Sequence, residues 1–126
     1  MKYMAFILVL FTFVIGPAAI ANADGDITKG KRIFNKCKAC HIVSKKQNRL
    51  GPHLVGIFGR KSGSVKGFRY SKAMKNSGVV WNEKSLDAYF ANPRNFIKGN
   101  RMAFAGLRKK KDRDDLIAYL KQATAK

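Results

Sequence analysis

Hydrophobic and polar residues follow several patterns along this chain. From Met4 to Ile15 the residues are almost wholly apolar, with Thr12 the one interruption. Lys2 precedes this run, Gly16-Pro17 ends it, and Ala21-Asn22-Ala23 has the small-residue pattern of a signal peptidase site. The pattern predicts an exported protein, with a leader at 1–23 and one domain at 24–126. A retained membrane anchor is the alternative. The stretch from Met4 to Ala21 is 18 residues, at the short edge for crossing a bilayer, and Gly16-Pro17 shortens its good helical part.

Beyond the leader the apolar spacing is helical in four places. Asp26 can cap a helix running to about Cys37, with Ile27, Gly30, Ile33, Phe34 and Cys37 on one face. Ser71 can cap a short helix ending near Gly78. Asn82 can cap another, with Leu86, Tyr89 and Phe90 inward and Pro93 as its terminator. A last helix is predicted from Asp112 to about Thr124, with an apolar stripe of Leu116, Ile117, Tyr119, Leu120 and Ala123. Between them lie long Gly- and Ser-rich loops, 42–64 and the stretch to about Lys110. No strand pattern of useful length intervenes. The fold class is therefore all-α, and the long loops of so small a domain need something to wrap around.

Charge narrows the choice of partners. The chain carries +19 over 126 residues. Losing residues 1–23, which hold one Lys and no acid, leaves +18 over 103 residues. Such a surface suits an acidic protein, a nucleic acid or an anionic membrane. Charge alone would allow nucleic-acid binding, but no reading helix or stacking platform is evident.

The two cysteines supply the chemistry. Cys37 and Cys40 are three apart and His41 follows directly, the Cys-x-x-Cys-His attachment signature for c-type haem. The two thiols bond the vinyl groups on adjacent porphyrin edges, and the imidazole reaches the iron from one face. A zinc site would want a second Cys/His pair, and only His53 remains. A thioredoxin-like pair would want a strand–helix–strand context. A plain disulfide across two intervening residues is strained. A sixth ligand could come from Met74, Met102 or His53. The flexible loop setting of Met102 favours it over Met74, which sits at core-like helical spacing, and over His53, which reads as a surface loop residue.

The mature chain resembles class I cytochrome c, the mitochondrial protein and its soluble bacterial relatives. The resemblance runs from Gly25-Asp26-Ile27-Thr28-Lys29-Gly30 through the Cys37–His41 motif to Gly51-Pro52-His53-Leu54 and Gly56-Ile57-Phe58-Gly59-Arg60. It continues in order through Tyr70-Ser71, Trp81, Tyr89, Asn92-Pro93, Met102-Ala103-Phe104 and Asp115-Leu116-Ile117-Ala118-Tyr119-Leu120. It implies the cytochrome c fold, three main helices plus short ones around one covalent haem c, with His41 and Met102 on the iron. It further implies that the Pro52 carbonyl orients His41 and that the Tyr89 hydroxyl lies near the Met102 sulfur. Arg60, Tyr70 and Trp81 should neutralise or hydrogen-bond a buried propionate, and Phe104 should cover the haem. Gly30 should let the first helix cross the last one closely.

The function so implied is single-electron carriage, with no catalysis, no small-molecule substrate and no specific nucleic acid. The leader points to a soluble periplasmic monomer serving a respiratory or photosynthetic chain. Lys36, Lys38, Arg49, Arg94, Lys98 and Arg101 would ring the haem edge and meet acidic docking surfaces of membrane complexes, a quinol–cytochrome c reductase and a terminal oxidase. Some positions depart from the family pattern. Met74 stands where an Asn is common, Asn100 where a Thr is common and could reach a propionate, and Lys98 where a Pro is common.

Overall fold

The computed structural model describes residues 25–126, so the leader-like segment lies outside the described residues. Five helices follow one another: α1 Ile27–Phe34, α2 Lys72–Asn76, α3 Glu83–Ala91, α4 Pro93–Phe96 and α5 Lys110–Ala123. Extended pairing among the described residues is limited to an isolated bridge between Lys61 and Val80. The all-α expectation holds.

Each cap read from the sequence is present. The Asp26 carboxylate accepts the Lys29 N–H at 3.0 Å, and the Ser71 hydroxyl accepts the Met74 N–H at 3.1 Å. Asn82 and Ser85 exchange side-chain and backbone bonds, both at 2.9 Å, in a reciprocal capping box at the start of α3. Three boundaries differ from expectation. α1 stops at Phe34, because the chain then tightens into turns in which Cys37 N–H bonds Phe34 O and Cys40 N–H bonds Cys37 O. Pro93 ends α3 and also opens α4, whose first position wants no N–H. α5 begins at Lys110, with Lys109 as an N-cap that makes no side-chain bond.

The core is built where α1 crosses α5. Gly25 and Gly30 permit the crossing: a Cβ on Gly25 would lie 2.1 Å from the Asp114 carbonyl oxygen. Phe34 and Tyr119 pack beside it with ring centres 5.4 Å apart and planes tilted by 46°. One apolar cluster joins Phe34, Leu107, Leu116 and Leu120. A second joins Ile57, Trp81, Leu86, Tyr89, Ile97 and Ile117. Leu86, Leu116 and Leu120 are fully buried, each contributing about 1.5–3 kcal/mol by leaving water. Leu54, Phe58 and Phe90 border both clusters and stay only partly covered.

Candidate functional site

The turns after α1 present Cys37, Cys40 and His41 together, all half-buried, with both thiols free. Burial, together with the nearby Cys40 thiol and against the pull of Lys36, pushes the Cys37 thiol up to about 11. It is protonated at neutral pH and waits in an apolar setting. His41 is fixed by two neighbouring residues. Its Nδ1 lies 2.7 Å from the Pro52 carbonyl oxygen, so Nδ1 carries the proton and Nε2 keeps the lone pair. Gly51 packs closely on the ring, where a Cβ would fall 2.4 Å from His41 Cε1 and 2.7 Å from Nδ1. Burial, only partly opposed by the Pro52 bond, holds the imidazole pKa below its ordinary value. The ring is therefore the neutral, metal-binding form at neutral pH.

Met102 sits in the loop between α4 and α5 and packs against the Trp81–Tyr89 cluster. The Tyr89 hydroxyl donates to its sulfur at 3.7 Å. Burial raises the Tyr89 phenol, so the donor stays protonated. The loop is held by Asn100, whose Nδ2 donates to the Pro93 and Ile97 carbonyls at 2.7 and 2.8 Å while its Oδ1 accepts the Met102 N–H at 3.0 Å. The sequence suggested a propionate contact for Asn100; in the structure these bonds tie the Met102 loop to α4 and its C-cap. Phe104 follows Met102 and borders the Phe34–Leu116 cluster.

The polar residues assigned to a propionate gather elsewhere on the margin. Trp81 is buried and its ring lies 5.0 Å from that of Tyr89. Its backbone N–H donates to the Arg60 carbonyl at 2.9 Å. Arg60 Nη1 donates to the Val55 carbonyl at 3.2 Å, and the Tyr70 hydroxyl accepts the Val65 N–H at 3.2 Å. Burial pulls the Arg60 guanidinium down and pushes the Tyr70 phenol up, and each charge offsets the other's shift. Asn48, unremarked in the sequence, clips two loops: its Oδ1 accepts the His53 N–H and its Nδ2 donates to the Lys66 carbonyl.

Met74 lies on α2 and packs against the core, its sulfur 3.0 Å from the Ser62 hydroxyl. That is the packing role its spacing suggested. His53 is half-buried rather than a free surface residue, and its Nδ1 is buried without a hydrogen-bond partner.

These residues fit a covalent haem. Two free thiols and an oriented neutral imidazole follow α1, with Cys37 packed against the Phe34–Leu116 cluster. A thioether already engaged by a phenol packs against the Trp81–Tyr89 cluster. The apolar side chains there, Leu54, Phe90 and Phe104 among them, are left partly uncovered, as a flat apolar group between the clusters requires. All six residues of the anticipated basic ring are exposed.

Comparison with known proteins agrees with this arrangement. Residues 27–124 match the family model described as Cytochrome c. Cytochrome c of Gibberella zeae is 51% identical over 104 residues, covering 81% of this chain and 98% of the relative. Cytochrome c of Chlamydomonas reinhardtii is 49% identical over 116 residues, covering 90% and 98%. Cytochrome c of Theileria annulata is 50% identical over 105 residues, covering 82% and 90%.

Proposed function

Because this chain belongs to the cytochrome c family, and so is an electron carrier with a covalent c-type haem rather than an enzyme, we propose that His41 and Met102 are its axial ligands and that it shuttles electrons between membrane redox complexes in the periplasm. The observation that carries the ligand assignment is the pair of oriented donors: His41 held through Nδ1 by the Pro52 carbonyl, and Met102 held through its sulfur by Tyr89.

The haem supplies the one-electron ferric–ferrous couple. Cys37 and Cys40 attach it. The Pro52 bond fixes the His41 tautomer and raises its basicity toward iron. The soft Met102 thioether favours the ferrous state and raises the potential. Arg60, with Tyr70 and Trp81, compensates a propionate that would otherwise be a costly buried charge. Phe104 and the two clusters exclude water. A haem held by both His41 and Met102 would leave no open position for a substrate and would supply one-electron transfer alone.

The partners we assign are a quinol–cytochrome c reductase and a terminal oxidase, met by this chain as a monomer through acidic docking surfaces. The exposed ring of Lys36, Lys38, Arg49, Arg94, Lys98 and Arg101 supports that reading. The periplasmic assignment rests on residues 1–23. No helix among the described residues is long and apolar enough to cross a membrane, and the relatives above come from eukaryotes.

Two measurements test the proposal. Intact mass of the native protein should show a chain beginning at Asp24 with one haem added; a mass retaining residues 1–23 would overturn cleavage alone. The far-red band of the ferric protein, which reports a methionine–iron bond, should vanish in Met102→Ala with a fall in potential, and persist in Met74→Ala. The reverse pattern would move the ligand to Met74.

A further inference from the structure

The loop that carries Met102 is held at two roots. The upstream root is Asn100, bonded to α4 and to the Met102 N–H. The downstream root lies five residues beyond Met102, at Leu107, where the chain turns toward α5. There the Leu107 N–H donates to the Phe90 carbonyl near the end of α3 at 2.7 Å, and the Leu107 side chain is buried. Gly106 packs on the same helix end, where a Cβ would fall 2.6 Å from the Ala91 carbonyl oxygen.

Arg113 fastens this root from the other side. Its Nη1 donates to the Leu107 and Arg108 carbonyl oxygens, each at 2.8 Å, and its Nε donates to Asp87 Oδ1 at 2.8 Å. The side chain runs back from the first turns of α5 to carbonyls five and six positions before it. The start of α5 has no other side-chain fastening of this kind: Lys109 at its N-cap makes no side-chain bond, and the Arg113 N–H meets the Lys109 carbonyl at a long 3.3 Å. One guanidinium thus joins the start of α5 to the stretch of chain that leads from Met102.

The pairing with Asp87 directs the guanidinium. The Arg113 side chain is 12% exposed and that of Asp87 27%, so the pair is screened less than one on the open surface. Lys110 lies 3.6 Å from the same carboxylate oxygen. Asp87 stands on α3 two positions before Tyr89, whose hydroxyl donates to the Met102 sulfur. Arg113 therefore links α3, α5 and the root of the Met102 loop. A lysine could not replace it, because the three bonds leave from two different nitrogens of a rigid planar fork.

Resting on the assignment of Met102 as an iron ligand, we propose that Arg113, directed by Asp87, is a positioning residue for that ligand. It fixes the downstream root of the loop, so that withdrawal of the Met102 sulfur requires the guanidinium to release its carbonyl bonds. It acts through the backbone: its bonds go to Leu107, Arg108 and Asp87, and the loop between carries the constraint to Met102. Asn100 and Arg113 then close the loop from its two ends, one against α4 and the other against α3 and α5.

The test is displacement of Met102 from the ferric holoprotein by free imidazole at pH 7, followed through loss of the far-red band, with denaturant unfolding measured in parallel. Arg113→Lys keeps the charge and removes the fork. It should raise the apparent affinity for imidazole by roughly tenfold, the order of one lost hydrogen bond. Asp87→Asn keeps an acceptor for Nε without the charge and should raise it by less. Glu83→Gln removes a different ion pair between α3 and α5, that with Lys121, and should leave the imidazole affinity at the parental value. The band in the parent checks the premise: a parent without it would overturn the Met102 assignment and the positioning role with it. A parent with the band and an Arg113→Lys variant of parental imidazole affinity would overturn the positioning role alone. So would equal rises in Arg113→Lys and Glu83→Gln that track their losses of unfolding stability, which would reduce Arg113 to general support of the fold. Should Arg113→Lys fail to fold, Asp87→Asn decides in its place by the same comparison with Glu83→Gln.

Discussion

Gly30 and Asp115 touch backbone to backbone where α1 crosses α5: a Cβ on Gly30 would lie 1.9 Å from the Asp115 carbonyl oxygen and 2.7 Å from Tyr119 Cβ. Neither neighbour can step aside, since one is helix backbone and the other the root of a side chain whose ring packs tilted against Phe34. The crossing sets the separation of the helices that carry Phe34, Leu116 and Leu120 of one apolar cluster, and the haem-attachment turns begin directly after Phe34.

Gly30→Ala should therefore force α1 away from α5 although Ala is the better helix former. Overpacking of this kind costs about 1–3 kcal/mol and sometimes more, against a propensity gain of about 1 kcal/mol. Denaturant unfolding of the holoprotein should show the net loss. A variant as stable as the parent would mean that the helices separate freely.

A buried carboxylate braces the same crossing. Asp115 is 2% exposed, accepts the Asp26 N–H at 2.6 Å and is bonded by Lys111. Burial pushes its pKa up, but Lys111 and the Asp26 N–H outweigh that and hold it below the ordinary value. A depressed folded pKa contributes stability that is present above the unfolded pKa, near 3.9, and is lost as pH falls through the folded one. Asp115→Asn should cost about 1.5–3 kcal/mol at neutral pH, the worth of a hydrogen bond to a charged group. It should also flatten the fall in stability below pH 4. An unchanged acid limb in the variant would show that other carboxylates govern it.

These residues also mark what the sequence could and could not disclose. Asp26, Ser71 and Asn82 are cap types directly before helical spacing, and a cap is a local signal. Cys37, Cys40 and His41 are legible because attachment chemistry fixes their spacing. Gly30 is legible through the family resemblance, and the contact explains it, since only a glycine tolerates such an approach. Pro93 misleads because the same missing N–H that ends α3 suits the first position of α4. Asn100 and Asn48 are opaque. Their partners are backbone carbonyls and amides that come within reach only once the loops have folded, and no spacing announces them. The partner-free Nδ1 of His53 is likewise a property of its surroundings.

Asn100 should matter to the iron ligand without touching it. It spends three hydrogen bonds tying the loop that carries Met102 to itself and to α4. Asn100→Ala should leave the far-red band in place at neutral pH but lower the pH at which alkali removes it. Hydrogen bonds of this class are worth about 0.5–1.5 kcal/mol each, and 1.36 kcal/mol corresponds to one pH unit. Loss of the three bonds should lower the midpoint by about one to three units. No change would mean that the loop holds its shape without the asparagine.

The ligand that replaces Met102 at high pH should be a lysine of particular position. A deprotonated amine is a good donor to ferric iron, whereas a guanidinium stays protonated at any accessible pH. The loop offers Asn95 and Arg101, neither of which can supply an amine, and Lys98, the one Lys between Lys84 and Lys109. The fold adds a second candidate that sequence distance hides. α2 lies against this loop: a Cβ on Gly99 would meet the Ala73 side chain at 3.3 Å, and Arg101 donates to the Arg69 carbonyl at 3.0 Å. Lys72, exposed at the start of α2, is thus a spatial neighbour of the loop. Lys98 travels with the loop when it opens, while Lys72 stays with α2, so Lys98→Ala should raise the alkaline midpoint more than Lys72→Ala. The double variant should raise it furthest, leaving hydroxide as the displacing ligand. A pH titration of the far-red band in the three variants decides the matter. A midpoint that none of them moves would assign the displacement to hydroxide or to a lysine outside this pair.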